Sequence, residues 1–294
     1  MKRSIIRQSI LLIHPGDDHA FEGVPMTPQG LGSCFLGVQS LDVERPQTQR
    51  LLSFLAHCIP LCSGDLDSQV LMNQNSPCSS ELQVSLGLLQ AVANIVLGLK
   101  SSSSRSQGSR QVLQALNAQL AKQATWWRSL KGQEVSMCLW GLQGMEVDLP
   151  EVNDFLLLLN DALDRRKLGN TKEKAPSVAS WPRRAVSSTS SANQSSFIHK
   201  KESQSAALEF RTFEEISLLL AGMKSMHSNS AQLLRLLRHV SEAMRAFITS
   251  HSSPNPSPSP NPPPVITGSQ LAGALYGLQR MSDEATEVRS VLRG

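Results

Sequence analysis

The chain has 294 residues, of which 40% are hydrophobic and only 4% aromatic, and 28 Lys and Arg stand against 24 Asp and Glu for a formal net charge of +4. This is enough apolar content for a core of Leu, Val, Ile and Met in one or two domains, and the mild basic excess allows polyanion binding without demanding it. No apolar run approaches the roughly 18 residues of a membrane span, and five cysteines, an odd set, point to a reducing compartment rather than a disulfide framework.

Residues 1–25 read as a leader. Met1–Ile13 is basic, contains Ser and has no acid before Asp17, the composition of an organellar transit peptide; an ordinary first helix or strand is the alternative. His14, Asp17, Asp18 and His19 surround Pro15-Gly16, which is turn chemistry before it is a metal site. Residues 26–166 then carry three copies of one pattern, with a polar loop at 61–80. A basic, Ser-rich insertion, expected to be disordered, fills 167–208. A fourth copy spans 209–249, a proline-rich spacer 250–265, and a fifth, incomplete copy 266–294.

The copies align without a gap on Gly37, Gly98, Gly141, Gly222 and Gly277. Two before the glycine stand Phe35, Val96, Leu139, Leu220 and Leu275; six before stand Leu31, Val92, Val135, Ile216 and Leu271. Five before, the residue is small: Gly32, Ala93, Ser136, Ser217 and Ala272. One after, it is apolar: Val38, Leu99, Leu142, Met223 and Leu278. Such self-similarity is the signature of a repeat architecture. The apolar spacing has a helical period, so each copy predicts a first helix of about three turns with the glycine inside it. Gly inside a helix costs roughly 1 kcal/mol relative to Ala, and close approach of a neighbouring helix is the expected compensation. A short polar turn follows, then a second helix, opened by Pro46 or Pro150 where a missing N–H does no harm. Ile59-Pro60 is expected to end the second helix of the first copy. The predicted fold is all-α: an α-solenoid of about five helix–turn–helix repeats with disordered insertions.

Several side chains invite a functional reading. Cys58, Cys62 and His57 suggest a metal, but no second cysteine pair has matching spacing. Cys34 and Cys138 share the position three before the glycine and are expected in the core. The Ser101–Ser109 turn of the second copy reads as flexible, with Arg105 and Arg110 beside it. Of Trp126 and Trp127, about 100° apart on a helix, one at most is expected to be fully buried. Arg235, Arg238 and His239 lie opposite Leu233, Leu237 and Val240 and read as a solvated face.

Leu275-Tyr276-Gly277-Leu278-Gln279-Arg280-Met281, with Glu287–Leu292 after it, resembles tandem helical repeats of algal and protist proteins, themselves similar in layout to octotricopeptide and pentatricopeptide repeat proteins. The resemblance implies an organellar protein, in mitochondrion or plastid, that binds single-stranded RNA through a few polar side chains per unit. If so, the residues two after each glycine are the candidates: Gln39, Lys100, Gln143, Lys224 and Gln279, all able to donate to bases or phosphates. Gln and Lys are also simply good helix formers. No phosphate-binding loop, zinc-protease helix or nucleophile elbow occurs in the sequence. No enzymatic activity, cofactor, metal or small-molecule substrate is therefore expected. The alternative to RNA is a protein partner on the same surface.

Overall fold

The computed structural model describes residues 27–61, 80–123, 126, 130–172, 208–251 and 266–293. The leader, most of the loop, residues 173–207, the proline-rich spacer, Trp127 and Cys62 lie outside them. Among the described residues there are ten helices and no strand. In chain order they are α1 Pro28–Val38, α2 Pro46–Leu61, α3 Ser80–Gly98, α4 Gln107–Lys122, α5 Gly132–Gly141, α6 Pro150–Lys172, α7 Phe213–Gly222, α8 Ala231–His251, α9 Gly268–Gly277 and α10 Thr286–Arg293.

The helices begin where capping chemistry permits. Thr27, Ser106, Thr212 and Thr267 each accept a backbone N–H of the following first turn on the side-chain oxygen, which satisfies a donor the helix cannot. Gln270 returns the favour at α9, its Oε1 accepting the Thr267 N–H at 2.9 Å, and Glu134 accepts the Lys131 N–H at 3.0 Å before α5. Pro46 and Pro150 open α2 and α6.

Odd-numbered helices pack on odd-numbered ones in succession, α1 on α3, α3 on α5, α5 on α7, α7 on α9. Even-numbered helices do the same, α2 on α4, α4 on α6, α6 on α8, α8 on α10. First helices thus form one ladder and second helices another, with a continuous apolar core that includes Phe35, Leu52, Leu99, Leu113, Leu139, Phe155, Leu220 and Leu237.

Several expectations need correction. The glycine ends the first helix instead of lying inside it in four of five copies: Gly98, Gly141, Gly222 and Gly277 are last residues, and Gly37 is followed only by Val38. The helical cost is therefore smaller than for an interior position. Helix α2 runs one residue past Pro60; a proline in a last turn interrupts little of the ladder behind it. Helix α6 continues to Lys172, five residues into the expected insertion, and at the insertion's far end Leu208 is buried. The Ser101–Ser109 turn is internally bonded. Ser102, Ser106 and Ser109 are buried, with the Ser109 hydroxyl 2.7 Å from those of both Ser102 and Ser106.

The two ladders hold together differently. A Cβ built on Gly98 would stand under 3.0 Å from the Phe35 carbonyl, on Gly141 from that of Val96, on Gly222 from that of Leu139 and on Gly277 from that of Leu220. Each contact joins a glycine to the residue two before the glycine of the preceding copy. Any side chain there would collide with backbone, which cannot move aside as a flexible side chain does. Position five before the glycine adds a bond: the Ser136 hydroxyl donates to the Glu215 carbonyl at 2.8 Å and that of Ser217 to the Gln270 carbonyl at 2.7 Å.

The second ladder uses long side chains. The buried Asn160 amide donates to the Gln232 carbonyl at 2.8 Å, and Asn117 in the equivalent place donates to the Glu151 carbonyl at 2.8 Å. Ion pairs Arg110–Glu151, Lys167–Glu242, Arg235–Asp161 and Arg238–Glu287 join successive copies at 3.0, 2.9, 2.9 and 2.8 Å.

Candidate functional site

The residue after each repeat glycine is a buried apolar side chain, Val38, Leu99, Leu142, Met223 or Leu278, and the chain then turns out. The next residue is therefore brought to the surface once per copy. Gln39, Lys100, Gln143 and Lys224 are half-buried and Gln279 is exposed. These five candidates occupy equivalent places along the first-helix ladder.

Adjacent copies fix this row. The Ser101 hydroxyl donates to the Gln39 carbonyl at 2.9 Å, and Ser225, in the same position two copies on, donates to the Gln143 carbonyl. Between them Gly144 lies tight against the Ser102 carbonyl. The Gln39 and Gln143 carbonyls are thus bonded to the next copy, and the turn after Lys100 is held against Gly144.

The lysines lie over aromatic rings. Lys100 Nζ stands 4.5 Å from the Trp140 ring centroid and Lys224 Nζ 5.9 Å from that of Tyr276. Both rings come from the position just before the next glycine, so the pairing repeats. A cation over a ring is worth about 0.5–1 kcal/mol at an exposed site. Sequence reasoning named the lysines and missed the rings. The signal was available, since Trp140 and Tyr276 share a position, but pairing them with Lys100 and Lys224 requires the spacing of the copies.

Acidic residues border the row. Asp42, Glu44, Glu146, Asp148, Asp283 and Glu284 are all exposed in the turns that follow. Asp148 pairs with His227 of the next copy at 3.1 Å, and Glu44 accepts from the Ser103 hydroxyl at 2.8 Å.

A second titratable cluster sits between α6 and α8. His239 is 6% exposed, its Nε2 3.1 Å from Asp164 Oδ1, and its buried Nδ1 has no hydrogen-bond partner. Burial pushes its pKa down, against the pull of the Asp164 and Glu242 carboxylates. Arg235 binds Asp161 and Asp164, and Arg238 binds Glu287. Of the expected solvated face Arg238 is exposed, while Arg235 is half-buried and His239 buried in the seam to the neighbouring copies, because α8 packs on α6 and α10.

Among the described residues no three His, Cys, Asp or Glu gather as a metal would require, and no helix is long and apolar enough to cross a membrane. Cys138 is buried, as its position predicts, and burial raises its pKa far above the ordinary thiol value. Cys34, at the same position of the first copy, is exposed; among the described residues no helix packs on α1 as α3 packs on α5. Trp126 is buried. Compared with family models, curated proteins and solved structures, the chain matches none.

Proposed function

We propose that the two ladders are the layers of an α-solenoid of five helix–turn–helix repeats, and that this solenoid is a non-enzymatic binding protein for single-stranded RNA. One observation carries the reading: Gln39, Lys100, Gln143, Lys224 and Gln279 recur at one place per repeat, and Trp140 and Tyr276 flank the two lysines. Alternating cations and amides suit a phosphate backbone with base edges beside it, and the rings of half-buried Trp140 and exposed Tyr276 suit bases, which stack on any aromatic face. The hydrogen bonds beneath the row supply preorganisation.

A protein–protein scaffold is the second reading, favoured by the exposed carboxylates of Asp42, Glu44, Glu146, Asp148, Asp283 and Glu284 beside the row. They would repel a polyanion and attract a basic peptide.

Fluorescence anisotropy with labelled single-stranded RNA, at about 50 and 200 mM salt, separates the two. The RNA reading expects affinity that falls steeply with salt and weakens further in the Lys100→Ala/Lys224→Ala double variant. A folded, helical protein that binds no RNA at the lower salt ends that reading and leaves the scaffold.

A further inference from the structure

The row and the rings share a period of two repeats. The residue two after the glycine is Gln39, Lys100, Gln143 and Lys224 in the first four copies. The residue just before the glycine of the following copy is Leu97, Trp140, Ala221 and Tyr276. Each lysine is thus matched in the next copy by an aromatic residue, and each glutamine by an aliphatic one. Lys100 Nζ stands 4.5 Å from the Trp140 ring centroid and Lys224 Nζ 5.9 Å from that of Tyr276. Leu97 is half-buried and Ala221 buried, and neither has a π-face. The seams between copies two and three and between copies four and five therefore offer a ring. The seam between copies three and four, where Ser225 bonds the Gln143 carbonyl, offers an amide.

We propose that Trp140 and Tyr276 are two stacking posts for unpaired bases of a single strand, one at every second repeat, and that the strand between them passes Gln143 without stacking. The inference rests on the RNA reading above and gives that ligand a form: two unpaired bases at a set separation, not one base per repeat. Leu97 and Ala221 cannot stack a base, so a strand read identically at every seam does not fit this row.

The lysines make the posts ready for a strand. Each covers a ring at the distance of a weak, exposed cation–π pair. A bound strand offers both members a stronger contact: the ammonium gains a charged phosphate oxygen and the ring gains a base. Binding thus exchanges one pair for two contacts, without a cation having to be brought from elsewhere. Lys224 lies near the roughly 6 Å limit of such pairs, so Tyr276 is the less covered of the two rings. Helices α5 and α9, which carry the rings, both pack on α7. Packed helix axes stand about 8–10 Å apart, which puts the posts about 16–20 Å apart along the ladder.

Labelled RNA strands of about ten nucleotides, within the site size of single-strand grooves, test this when every base is removed except two adenines whose separation is varied. Anisotropy with the full chain is read at about 50 mM salt. Affinity is expected to reach a maximum at one separation, about fivefold or more above the others, the effect of one further stacked base. Trp140→Leu and Tyr276→Leu are each expected to abolish that maximum. Leucine already stands at this place in the second copy, so it suits the fold, and circular dichroism confirms that each variant keeps the parent's helix content. Trp140→Phe, which keeps a ring, is expected to restore the maximum. A folded chain that binds neither these strands nor one with all its bases ends the RNA reading and the posts with it. Binding with no preferred separation, or a maximum that survives both leucine variants, overturns the posts alone and leaves the RNA reading standing.

Discussion

The first-helix ladder and the second-helix ladder join the same repeats by opposite means. Between first helices the contact is backbone on backbone, made possible by a missing side chain at Gly98, Gly141, Gly222 and Gly277. Between second helices it runs through some of the longest side chains available, Arg110, Lys167, Arg235 and Arg238, with Asn117 and Asn160 buried among them. The difference teaches where spacing is set. A glycine seam has essentially one separation, because neither partner has a rotamer to adjust. An arginine seam can follow a small shift by changing rotamers. The first ladder fixes the repeat distance and the second follows it.

The sharpest way to break this comparison is to add one methyl group to the rigid seam. Gly141→Ala replaces a poor helix former with the best one, yet its Cβ meets the Val96 carbonyl and the Leu97 nitrogen, both backbone. A loss of about 3 kcal/mol in urea unfolding is expected, at the upper end for an overpacked site. Gly87 is the internal control. It lies in α3 with nothing within 4 Å of a built Cβ, so Gly87→Ala should stabilise by about 0.5–1 kcal/mol through helix propensity alone. If the two substitutions act with the same sign, close approach is not what the repeat glycines provide.

The second ladder should yield less to any single truncation. Asn160→Ala removes the bond to the Gln232 carbonyl and leaves a small cavity, for an expected loss of about 2 kcal/mol. Part of that loss is offset, because the Asn160 Oδ1 is already buried without a partner and disappears with it. A loss larger than that of Gly141→Ala would reverse the ranking of the two seams.

These seams were unequally legible in the sequence. The glycine seam could be read because the absence of a side chain is conspicuous when it recurs: Gly98, Gly141, Gly222 and Gly277 mark it with their apolar flanks. Even so the glycines looked interior to their helices, since the apolar spacing continues past the last helical turn into Leu99, Leu142, Met223 and Leu278. The second seam was legible only in part. Arg238 is exposed, as its place opposite a leucine stripe predicts, but Arg235 is half-buried and His239 buried, because α8 is packed on two sides by α6 and α10. Periodicity describes one helix and cannot count its neighbours. The same blindness hid the lysine–aromatic pairs of the row, where Lys100 and Trp140 are 40 residues apart in sequence and meet only because the repeats stack. It also placed Cys34 in the core with Cys138, since a position shared by two copies is not an environment shared by them.

The smallest expected effect concerns pH, and it separates the ladders without touching either helix backbone. The glycine contacts of the first ladder are neutral backbone and carry no titratable group. The second contains His239, held neutral chiefly by burial; Asp164 and Glu242 draw a proton toward it, while Lys167 and Arg235 oppose one. A base whose folded pKa lies below its unfolded value takes up its proton first in the unfolded chain. Its contribution to stability is therefore complete above about pH 6.5, the ordinary histidine value, and falls as the pH drops from there through the folded value. Glu151 and Glu287 act in a lower window. Burial raises the Glu151 carboxyl, but its hydrogen bonds to Arg110 and to its own backbone bring it below the ordinary value, and Arg238 does the same for Glu287. Their contribution is lost only below the ordinary carboxylate range. Urea unfolding between about pH 7 and pH 5 should thus show a shallow loss of stability that belongs to His239, and His239→Gln, which keeps a donor for Asp164 and cannot be protonated in this range, should flatten it. A slope unchanged in that variant would place the titrating group elsewhere in the molecule and remove His239 as the acid-sensitive point of the second ladder.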